Sequence, residues 1–517
     1  MTVALSSAAG QPAVSARGKD ENMCEMNALN DINLDFLPDC IDGVYLVGGT
    51  IRDLLAGHTP ADIDLVVDGD ITRTAAKIAA KIGGRVIDLG KKGFAVLRVA
   101  SPDATIDITP LAHPSIEADL LQRDFTINAM AYDVKAKRLV DCTGGRADMQ
   151  RKIIRMVSPA AFERDPARLV RAYRMAAVFQ FSISAETQET IGNNRHLVTS
   201  VSGERVRAEL FKIFNAVDSA PVMMRMAASG LLTSIFPELH PAIGCTQNRH
   251  HQFDVFDHSL RAYEELETLL SGFGARFPNL ARLTDPADLS DHTAILKYAA
   301  LLHDVGKPAT RRVDEHGRVH FFGHAAKSAD IATGISHRLR LSKKQREVSD
   351  SVIRNHIRPL FLFLASEKGT LSRRGMVRFF RRCDGLTLPI IVHTMADIVA
   401  KADTLGGGDG RFITFCDHLF DTYIDTINRQ AAVPPLINGH DLITVFGLSP
   451  SPRFKHILNL VNERRLCGEL NNRDQALEWV GTHLLIKARR RPAADRSRKP
   501  APRTQDPKPQ IRDRKPK

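Results

Sequence analysis

The sequence predicts an α+β fold in which one small mixed domain is followed by a long all-helical region. Between Val44 and Asp141, short apolar strands alternate with helical segments, and Gly and Pro separate them as turn signals. After Pro159, apolar residues recur at the helical spacing i, i+3, i+4 and i+7, with no convincing run of strands before Arg489. At 517 residues the chain is too long for one core, and about three domains are expected.

The first domain is expected to be built on a small sheet. Its strands are predicted at "VYLVGG", "DIDLVVDG", "RVIDLG", "FAVLRVA" and "TIDITP", and a helix is predicted at "TRTAAKIAAKIG". The helical region is divided by loops at "FGARFPNLARLTDPADLSD" and at the Gly-rich "LGGGDGR". It is therefore expected to form two or more helical parts.

Positive charge is concentrated at the C-terminus. Residues 487–517 hold 13 lysines and arginines against three aspartates, and so account for ten of the 12 net positive charges. This proline-rich stretch has no apolar periodicity, so it is predicted to be a disordered basic tail. Such a tail either contacts RNA phosphates or only keeps the chain soluble.

Membrane insertion and secretion are both disfavoured. No apolar run approaches the roughly 20 residues that a membrane span needs. Residues 1–35 lack the basic start and apolar core of a secretory signal, and are predicted to be a flexible leader. The seven cysteines lie far apart without a C-x-x-C pair, which argues against a zinc ribbon or a disulfide framework. A cytoplasmic location is expected.

Two aspartates on one predicted strand indicate a metal and phosphate site. Asp62 and Asp64 in "ADIDLVV" are two residues apart, so their side chains share one face of a strand. Two such carboxylates repel each other unless a cation lies between them, and Mg²⁺ binds carboxylates together with substrate phosphates. Upstream, Gly48 and Gly49 permit close approach of the backbone to a phosphate, and Arg52 can reach a triphosphate. The segment matches neither a Walker loop nor a dinucleotide fingerprint.

Three segments together resemble a known family. "LVGGTIRDLLAGHTPADIDLVV", "RDFTINAMAYD" and "DPARLVRAYRMAA", in this order and spacing, are similar to the signatures of the bacterial tRNA nucleotidyltransferase and poly(A) polymerase family, class II of the DNA polymerase β superfamily. The resemblance implies a small-sheet, DNA polymerase β-like nucleotidyltransferase head at residues 36–158. It also implies a helical neck at residues 159–240, with base-selection and RNA-binding regions.

The activity that the resemblance implies is template-independent nucleotidyl transfer. Such an enzyme adds CCA, or its terminal A, to tRNA 3′ ends from CTP and ATP, with two Mg²⁺ ions in the head. Asp62 and Asp64 would hold the ions, and Asp107 in "TIDITP" would be a third catalytic carboxylate. The alternative for Asp107 is an ordinary aspartate at a sheet edge or turn.

The resemblance also implies a set of nucleotide-binding residues. These are Gly48, Gly49, Arg52, Asp53, Arg123, Asp124, Asn128, Asp165, Arg168 and Arg171. Arg123 would contact a phosphate, and Asp124 and Asn128 would lie near the ribose. Asp165 and Arg168 would select the base from one face of a neck helix, although Asp165 followed by Pro166 also suits a helix N-cap.

Two positions depart from the family pattern. Gln122 stands where the family usually has arginine, which could weaken a phosphate or RNA contact. Arg164 stands where the family usually has glutamate, next to Asp165. The second departure puts the orientation of the base-selecting pair in question.

A second series of motifs resembles the HD superfamily of metal-dependent phosphohydrolases. The segments are "FDVFDHSL", "LLHDVGKP", "FFGHAAKSADIA", "RNHIRP" and "MADIVAKAD". The resemblance implies an HD domain at residues 241–410, followed by a helical body at residues 411–486. The implied metal ligands are His258, His303, Asp304 and Asp397, with His324 and His356 available for a second metal.

The implied HD metal is a transition metal such as Ni²⁺, Mn²⁺ or Zn²⁺, because imidazole and carboxylate ligands suit these ions. The site would hydrolyse phosphate esters, or it would have only a structural role. Three other overall functions stay open from the sequence. They are a poly(A) polymerase acting on general RNA, an HD phosphohydrolase with a regulatory nucleotide-binding head, and a non-catalytic RNA-binding protein.

Overall fold

The computed structural model describes residues 34–37, 42–60, 62–90, 95–247, 252–276, 289, 291–401, 408–432 and 434–485. Nearly all of the predicted leader, and the whole basic tail from Lys487 onward, lie outside these residues. The described chain forms two compact units. One runs up to Phe363 and includes Cys383–Asp417, and the other consists of Leu364–Arg382 and the residues from His418 onward.

The first part of the chain forms a seven-stranded mixed sheet. Its strands are β1 (Val44–Val47), β2 (Ile63–Val67), β3 (Arg85–Asp88), β4 (Leu97–Ala100), β5 (Thr105–Pro110), β6 (Ala131–Asp133) and β7 (Arg138–Val140). Their spatial order is β3-β4-β5-β2-β1-β6-β7, with β2 and β5 parallel and the other neighbouring pairs antiparallel. The five predicted strands are present, and β6 and β7 add two short strands that the sequence did not suggest.

Helices cover both faces of this sheet. They are α1 (Gly49–Leu55), α2 (Ile71–Ile82), α3 (Ile116–Leu120) and α4 (Gly145–Gln150). Leu65 and Ile106 face a core shared with α2, whereas Val66 faces a second core that includes α3. Since strand residues alternate between faces, Asp64 and Asp107 lie on the face opposite α2, and Asp62 directly precedes β2.

The long predicted helix in this domain has clear end signals. Asp70 caps α2 by accepting hydrogen bonds from the amides of Thr72 and Arg73. Gly83 ends α2 in the left-handed conformation, with φ of 64°. The helix therefore begins and ends where its sequence predicts.

The remainder of the chain is helical, which confirms the predicted α+β class. Its helices in the first unit begin with α5 (Ala160–Arg164), α6 (Arg168–Phe179), α7 (Ala185–Asn194), α8 (Gly203–Asn215), α9 (Ala220–Ala228), α10 (Leu231–Ile235), α11 (Val255–Ser271) and α12 (Phe273–Arg276). They continue with α13 (Thr293–Leu302), α14 (Lys307–Thr310), α15 (His324–Arg338), α16 (Lys343–Asn355) and α17 (Arg358–Glu367), the last of which ends beyond this unit.

The other helices are α18 (Arg373–Cys383), α19 (Thr387–Val399), α20 (Gly408–Ala432), α21 (Gly439–Thr444), α22 (Pro452–Leu466) and α23 (Arg473–Val480). In the second unit, Ile457, Val461 and Val480 belong to a separate apolar core. Glu463 on α22 accepts hydrogen bonds from Arg374 and Arg378 on α18.

Short strands interrupt the helical region. β8 (Ile153–Ile154) pairs in parallel with β9 (Ser182–Ile183), and β10 (Arg312–Val313) pairs with β11 (Val319–His320) in a hairpin. Each has only two residues, which is below the length at which apolar alternation can be recognised in a sequence.

Candidate active site and metal centre

The sheet brings two predicted carboxylates side by side. Asp64 on β2 is in register with Asp107 on the parallel strand β5, and Asp62 lies directly before β2. Burial, followed by the charge of Asp107, raises the pKa of Asp64 to about 6. The negative charge of Asp62 contributes to this rise, and the positive charges of Arg123 and Arg52 oppose it. This arrangement of three carboxylates is one that a divalent cation would stabilise.

Arg98 is a member of this site that the sequence did not reveal. Its Nε and Nη2 donate to the two carboxylate oxygens of Asp107, each at 2.7 Å. Arg98 lies on β4 directly opposite Asp107 in the antiparallel β4–β5 pair. The predicted strand "FAVLRVA" contains a single charged residue, which is the one available signal for this contact.

The Gly48–Gly49 turn passes close to the carboxylates. Gly48 has φ of 63°, and a Cβ placed on it would lie 2.9 Å from Nη1 of Arg123. A Cβ on Gly49 would lie 3.5 Å from Oδ2 of Asp64. Thr50 accepts a hydrogen bond from the amide of Asp64 at 2.7 Å and so ties the turn to β2. Side chains at the two glycines would fill the space beside the carboxylates.

Arg52 is held in place from three sides. Its guanidinium forms an ion pair with Asp53 at 2.7 Å and donates through Nη1 to Oδ1 of Asn128 at 2.8 Å. It also lies over the ring of Phe179 on α6, 4.5 Å from the ring centre. Phe179 belongs to the predicted neck and was not singled out from the sequence.

A second set of contacts links Asn128 to the helical region. Asn128 donates through Nδ2 to Oδ1 of Asp124 at 3.0 Å, and Arg171 on α6 donates to Oδ2 of Asp124 at 3.1 Å. Burial raises the pKa of Asp124, but the charge of Arg171 and the hydrogen bonds from Asn128, Arg171 and the Phe125 amide together outweigh burial, and the net pKa is lowered. Glu209 on α8 accepts from Arg171 at 3.1 Å. The predicted residues Asp124, Asn128 and Arg171 therefore form one connected network.

The side chains of Asp165 and Arg168 form only a long ion pair, and the closer contact between the two residues is the backbone amide of Arg168 donating to the carbonyl of Asp165 at 3.0 Å. Nε of Arg168 is 4.0 Å from Oδ2 of Asp165, and its Nη1 donates to the backbone carbonyls of Gln122 and Ala161. Asp165 instead accepts from Arg205. It also accepts from the amide of Ala167, but the N-cap of α6 is Ala167, whereas the N-cap alternative had expected Asp165.

The remaining predicted phosphate ligand is engaged within the head. Arg123 forms an ion pair with Asp119 at 3.0 Å, one helical turn earlier in the chain. Its Nη1 lies beside Gly48, so the guanidinium still borders the glycine turn. The predicted nucleotide-binding residues other than Asp165 and Arg168 thus border the Gly48–Gly49 turn or belong to the contacts that run through Arg52 and Asn128.

The predicted HD residues converge in a buried cluster. The potential ligand atoms of His258, His303, Asp304 and Asp397 all lie within 4.8 Å of one another. Those of Asp304, His324 and His356 form a second such group that shares Asp304. His258, His303, Asp304, His356 and Asp397 are at most 4% exposed.

Backbone carbonyls orient three of these histidines. Nδ1 of His303 contacts the carbonyl of Ala300 at 2.8 Å, that of His324 contacts Phe321 at 2.8 Å, and that of His356 contacts Ile353 at 2.7 Å. In each case Nε2 is left facing Asp304. A carbonyl partner at the far ring nitrogen is the usual way of orienting a metal-binding histidine.

Positive charges compensate the two buried aspartates. Nζ of Lys307 is 2.6 Å from Asp304, and Nζ of Lys401 is 3.3 Å from Asp397. Burial lowers the pKa of His303, but the charges and hydrogen bonds of Asp304 and Asp397 together outweigh burial, and the net pKa is raised. A site that raises the pKa of a buried imidazole is one that stabilises an added cation. The donor set and the oriented histidines therefore fit a divalent metal, and the sequence had not singled out Lys307 or Lys401.

His393 is a further buried histidine beside this cluster. It lies on α19, one helical turn before Asp397, and its ring is 5.2 Å from that of His303 and 5.9 Å from that of His356. It is absent from both groups of converging ligand atoms. Its spacing from Asp397 was visible in "HTMADIV", but it resembled none of the motif positions.

The raised pKa of Asp64 predicts a cost in stability for the metal-free protein. A carboxyl whose pKa rises from 3.8 to about 6 on folding stabilises the fold below pH 3.8, and this contribution is lost as the pH rises through 6. Two pKa units correspond to about 3 kcal/mol. Asp64→Asn is therefore expected to raise the free energy of unfolding of the head at pH 7.5 by up to that amount.

Urea unfolding of both proteins in EDTA, at pH 4.5 and pH 7.5, checks this prediction. The gain from Asp64→Asn should be much smaller at pH 4.5, where the wild-type carboxyl is mostly protonated. An equal gain at both pH values would contradict the raised pKa.

None of the helices among the described residues has both the length and the apolar character required to cross a bilayer.

The sheet, its carboxylates and the glycine turn define a nucleotidyltransferase head, and comparisons with known proteins agree. Family models match the chain as "Poly A polymerase head domain" at residues 44–155, "Probable RNA and SrmB- binding site of polymerase A" at 180–243, and "HD domain" at 255–373. An A-adding tRNA nucleotidyltransferase from Deinococcus radiodurans is 32% identical over 455 residues, which cover 86% of this chain and 96% of that protein. The chain therefore belongs to the bacterial tRNA nucleotidyltransferase family, as its motifs indicated.

Other relatives differ in the nucleotides that their names state. A CC-adding tRNA nucleotidyltransferase from Thermus thermophilus is 29% identical, with 84% of this chain and 94% of that protein covered. A multifunctional CCA protein from Azoarcus sp. is 30% identical, with 71% of this chain and 84% of that protein covered.

Among solved structures, a CCA-adding enzyme with CTP matches with a TM-score of 0.59 at 20% identity, covering 92% of this chain and 96% of that one. A Thermotoga maritima CCA-adding enzyme complexed with tRNA matches with a TM-score of 0.57 at 21% identity and the same coverage. These likenesses confirm the fold.

Proposed function

We propose that this nucleotidyltransferase adds CCA, or its terminal A, to tRNA 3′ ends from CTP and ATP. The observation that carries the proposal is the set of carboxylates Asp62, Asp64 and Asp107 beside the Gly48–Gly49 turn. Two of the named relatives are tRNA nucleotidyltransferases that add A or CC, and the third is named a multifunctional CCA protein. This agreement supports tRNA as the substrate and leaves the number of added nucleotides to experiment. Because the substrates are tRNA and nucleotides, we also propose a cytoplasmic location.

The reaction that we propose is attack of the RNA 3′-hydroxyl on the α-phosphate of a nucleoside triphosphate. A bond forms from the 3′-oxygen to the α-phosphorus, and the bond to the β-phosphate breaks and releases pyrophosphate. Asp62, Asp64 and Asp107 would hold Mg²⁺, which when bound stabilises the attacking and leaving oxygens. Gly48 admits the phosphates close to the backbone, and the guanidinium of Arg52 neutralises part of their charge.

Residues of the head and neck would bind the rest of the nucleotide. Asp124 and Asn128 would accept and donate hydrogen bonds at the ribose, with Arg171 holding Asp124. Arg123 would contact a phosphate beside Gly48. Asp165 would accept from the exocyclic amino group of adenine or cytosine while Arg168 donates to a ring acceptor. Pyrophosphate formation then depends on positioning and charge rather than on a protein nucleophile.

We further propose that the HD cluster is a phosphohydrolase site. The cluster opens onto a cavity of about 360 Å³ that is lined by Asp304, His324, Lys307, Lys401 and Phe322, among others. A bound Ni²⁺, Mn²⁺ or Zn²⁺ would polarise a phosphate and activate water. Lys307 and Lys401 would neutralise the phosphate oxygens from the cavity wall. The alternative is a purely structural role for the cluster.

The domain organisation that we propose follows the motifs. The head occupies residues 36–158, the neck 159–240, the HD domain 241–410 and the helical body 411–486. The leader occupies residues 1–35, and the basic tail occupies residues 487–517. Two other functions compete with this proposal, namely poly(A) synthesis on general RNA and HD hydrolysis with a regulatory head.

An incorporation assay with Mg²⁺ separates these functions. It uses tRNA that ends before CCA, tRNA that ends after CC, and an unrelated oligonucleotide, each with CTP, ATP or both. Three nucleotides added to the first tRNA would establish CCA addition, and one A added only to the second would establish A addition. Long adenosine tracts on every RNA would show a poly(A) polymerase. No incorporation on any RNA would refute the transferase proposal.

A further inference from the structure

Arg205 on α8 makes the principal side-chain contact to Asp165. Its Nη2 donates to Oδ1 of Asp165 at 2.9 Å and to Oδ2 at 2.8 Å. The amide of Ala167 donates to Oδ1 from the other side, at 3.2 Å. The carboxylate of Asp165 is thus fixed from two directions, by a residue 40 positions along the chain and by its own backbone.

We infer that Arg205 is a positioning residue that orients Asp165 for selecting the incoming base. This inference rests on the proposed nucleotidyl transfer and deepens it. The residue that precedes Asp165 does not perform this task, because Nη2 of Arg164 donates to Oγ of Ser158 at 3.3 Å. Arg164 also carries the same charge as Arg168, so it cannot hold that guanidinium by charge attraction.

The other half of the base-selecting pair is anchored independently of Arg205. Nη1 of Arg168 donates to the carbonyls of Gln122 at 3.1 Å and Ala161 at 3.3 Å. Its Nε is buried without a hydrogen-bond partner among the described residues. Arg168 therefore keeps its place if Arg205 is removed, whereas Asp165 loses both of its hydrogen bonds from a guanidinium.

The chemistry of the bases explains why the orientation of Asp165 matters. Adenine and cytosine present an exocyclic amino group next to a ring acceptor, which matches one carboxylate and one guanidinium. Guanine and uracil present a carbonyl oxygen where the amino group would be, and a fixed, ionised carboxylate repels it. Burial raises the pKa of Asp165, but the hydrogen bond and charge of Arg205, together with the Ala167 amide and the charge of Arg171, outweigh burial, and the net pKa is lowered.

Arg205 can hold Asp165 while its own side chain stays largely exposed to solvent. It lies in the first turn of α8, and its side chain is 51% exposed, against 23% for Asp165. An exposed ion pair contributes little to folding, so its loss should leave the fold intact. Its effect is therefore expected in selectivity rather than in stability.

The test compares Arg205→Gln with Lys212→Gln, which removes an exposed cation two turns further along α8. The quantity measured is the ratio of kcat/KM for the correct nucleotide, ATP or CTP, to that for UTP and GTP, on the same tRNA. We expect Arg205→Gln to lower this ratio at least about tenfold, which corresponds to ~1.4 kcal/mol. Lys212→Gln should leave it unchanged, and Arg205→Lys should restore part of it.

Two results would overturn the inference. One is an unchanged ratio in Arg205→Gln with the same unfolding temperature as the wild type. The other is an equal rise of the KM for tRNA in Arg205→Gln and Lys212→Gln without a change in the ratio, which would make Arg205 an RNA contact only. If Arg205→Gln fails to fold, Arg205→Met, which also removes the charge but keeps a long side chain, provides the same comparison. Absence of incorporation by the wild type would refute the proposed function itself, which is a separate outcome.

Discussion

Replacing Asp64 with asparagine is expected to reduce nucleotide incorporation at least about 1,000-fold, or ~4 kcal/mol. Asp64 lies in register with Asp107, and its carboxylate also faces the Gly48–Gly49 turn. Asparagine keeps the shape of the side chain but removes the negative charge that would hold Mg²⁺. Single-turnover incorporation of labelled ATP or CTP onto tRNA measures the loss.

The matched control for this prediction is Asp68→Asn. Asp68 follows the same strand, is exposed, and lies outside the carboxylate group. Its replacement should change incorporation less than about threefold, since exposed charges contribute little. Comparable losses in both variants would show that charge on β2 in general, rather than the Asp64 position, is required.

Replacing Asp304 with asparagine is expected to remove HD metal binding and phosphate-ester hydrolysis while leaving nucleotide incorporation nearly intact. Asp304 belongs to both groups of converging ligand atoms, so one substitution affects both possible metal positions. A lost metal ligand in such a site typically lowers activity by several orders of magnitude. Metal content by mass spectrometry and hydrolysis of a chromogenic phosphate ester are the two readouts.

The control for the HD prediction is Asp330→Asn, which changes an exposed aspartate on α15. It should retain both metal and hydrolysis. Full metal loss in Asp304→Asn without any wild-type hydrolysis would identify the cluster as structural. Loss of incorporation in a folded Asp304→Asn protein would contradict the independence of the two sites.

The sequence was most informative where a motif has a short, regular spacing. The two-residue period of a strand predicted that Asp62 and Asp64 lie together, and the structure has Asp64 on β2 with Asp62 directly before it. The helix predicted at "TRTAAKIAAKIG" is present as α2. The order of the HD motifs likewise indicated six residues that the fold brings into one cluster. These predictions required no knowledge of long-range contacts.

Partners that meet through tertiary structure were not predictable in this way. Arg98 reaches Asp107 through the β4–β5 register, and Arg205 reaches Asp165 across 40 residues and two helices. Lys401 is one helical turn from Asp397, but lysines at such spacing are common on exposed helix faces. Only the packing of α19 shows that this lysine is directed at a buried carboxylate.

Very short strands were missed for a different reason. β6 and β7 have three residues each, and Tyr132 and Asp133 break the apolar alternation that identifies a strand. Their pairing with β1 and with each other, rather than local propensity, makes them strands. The same holds for the two-residue strands of the helical region.

The most direct test of the proposed chemistry is to measure pyrophosphate release together with incorporated nucleotide. Purified protein with Mg²⁺, ATP and CTP is incubated with tRNA that lacks its CCA end, and both products are quantified in the same samples. Nucleotidyl transfer at the Asp62, Asp64 and Asp107 site predicts one pyrophosphate for each nucleotide added, with no more than three nucleotides per tRNA. Release of phosphate or pyrophosphate without extension of the tRNA would contradict the account.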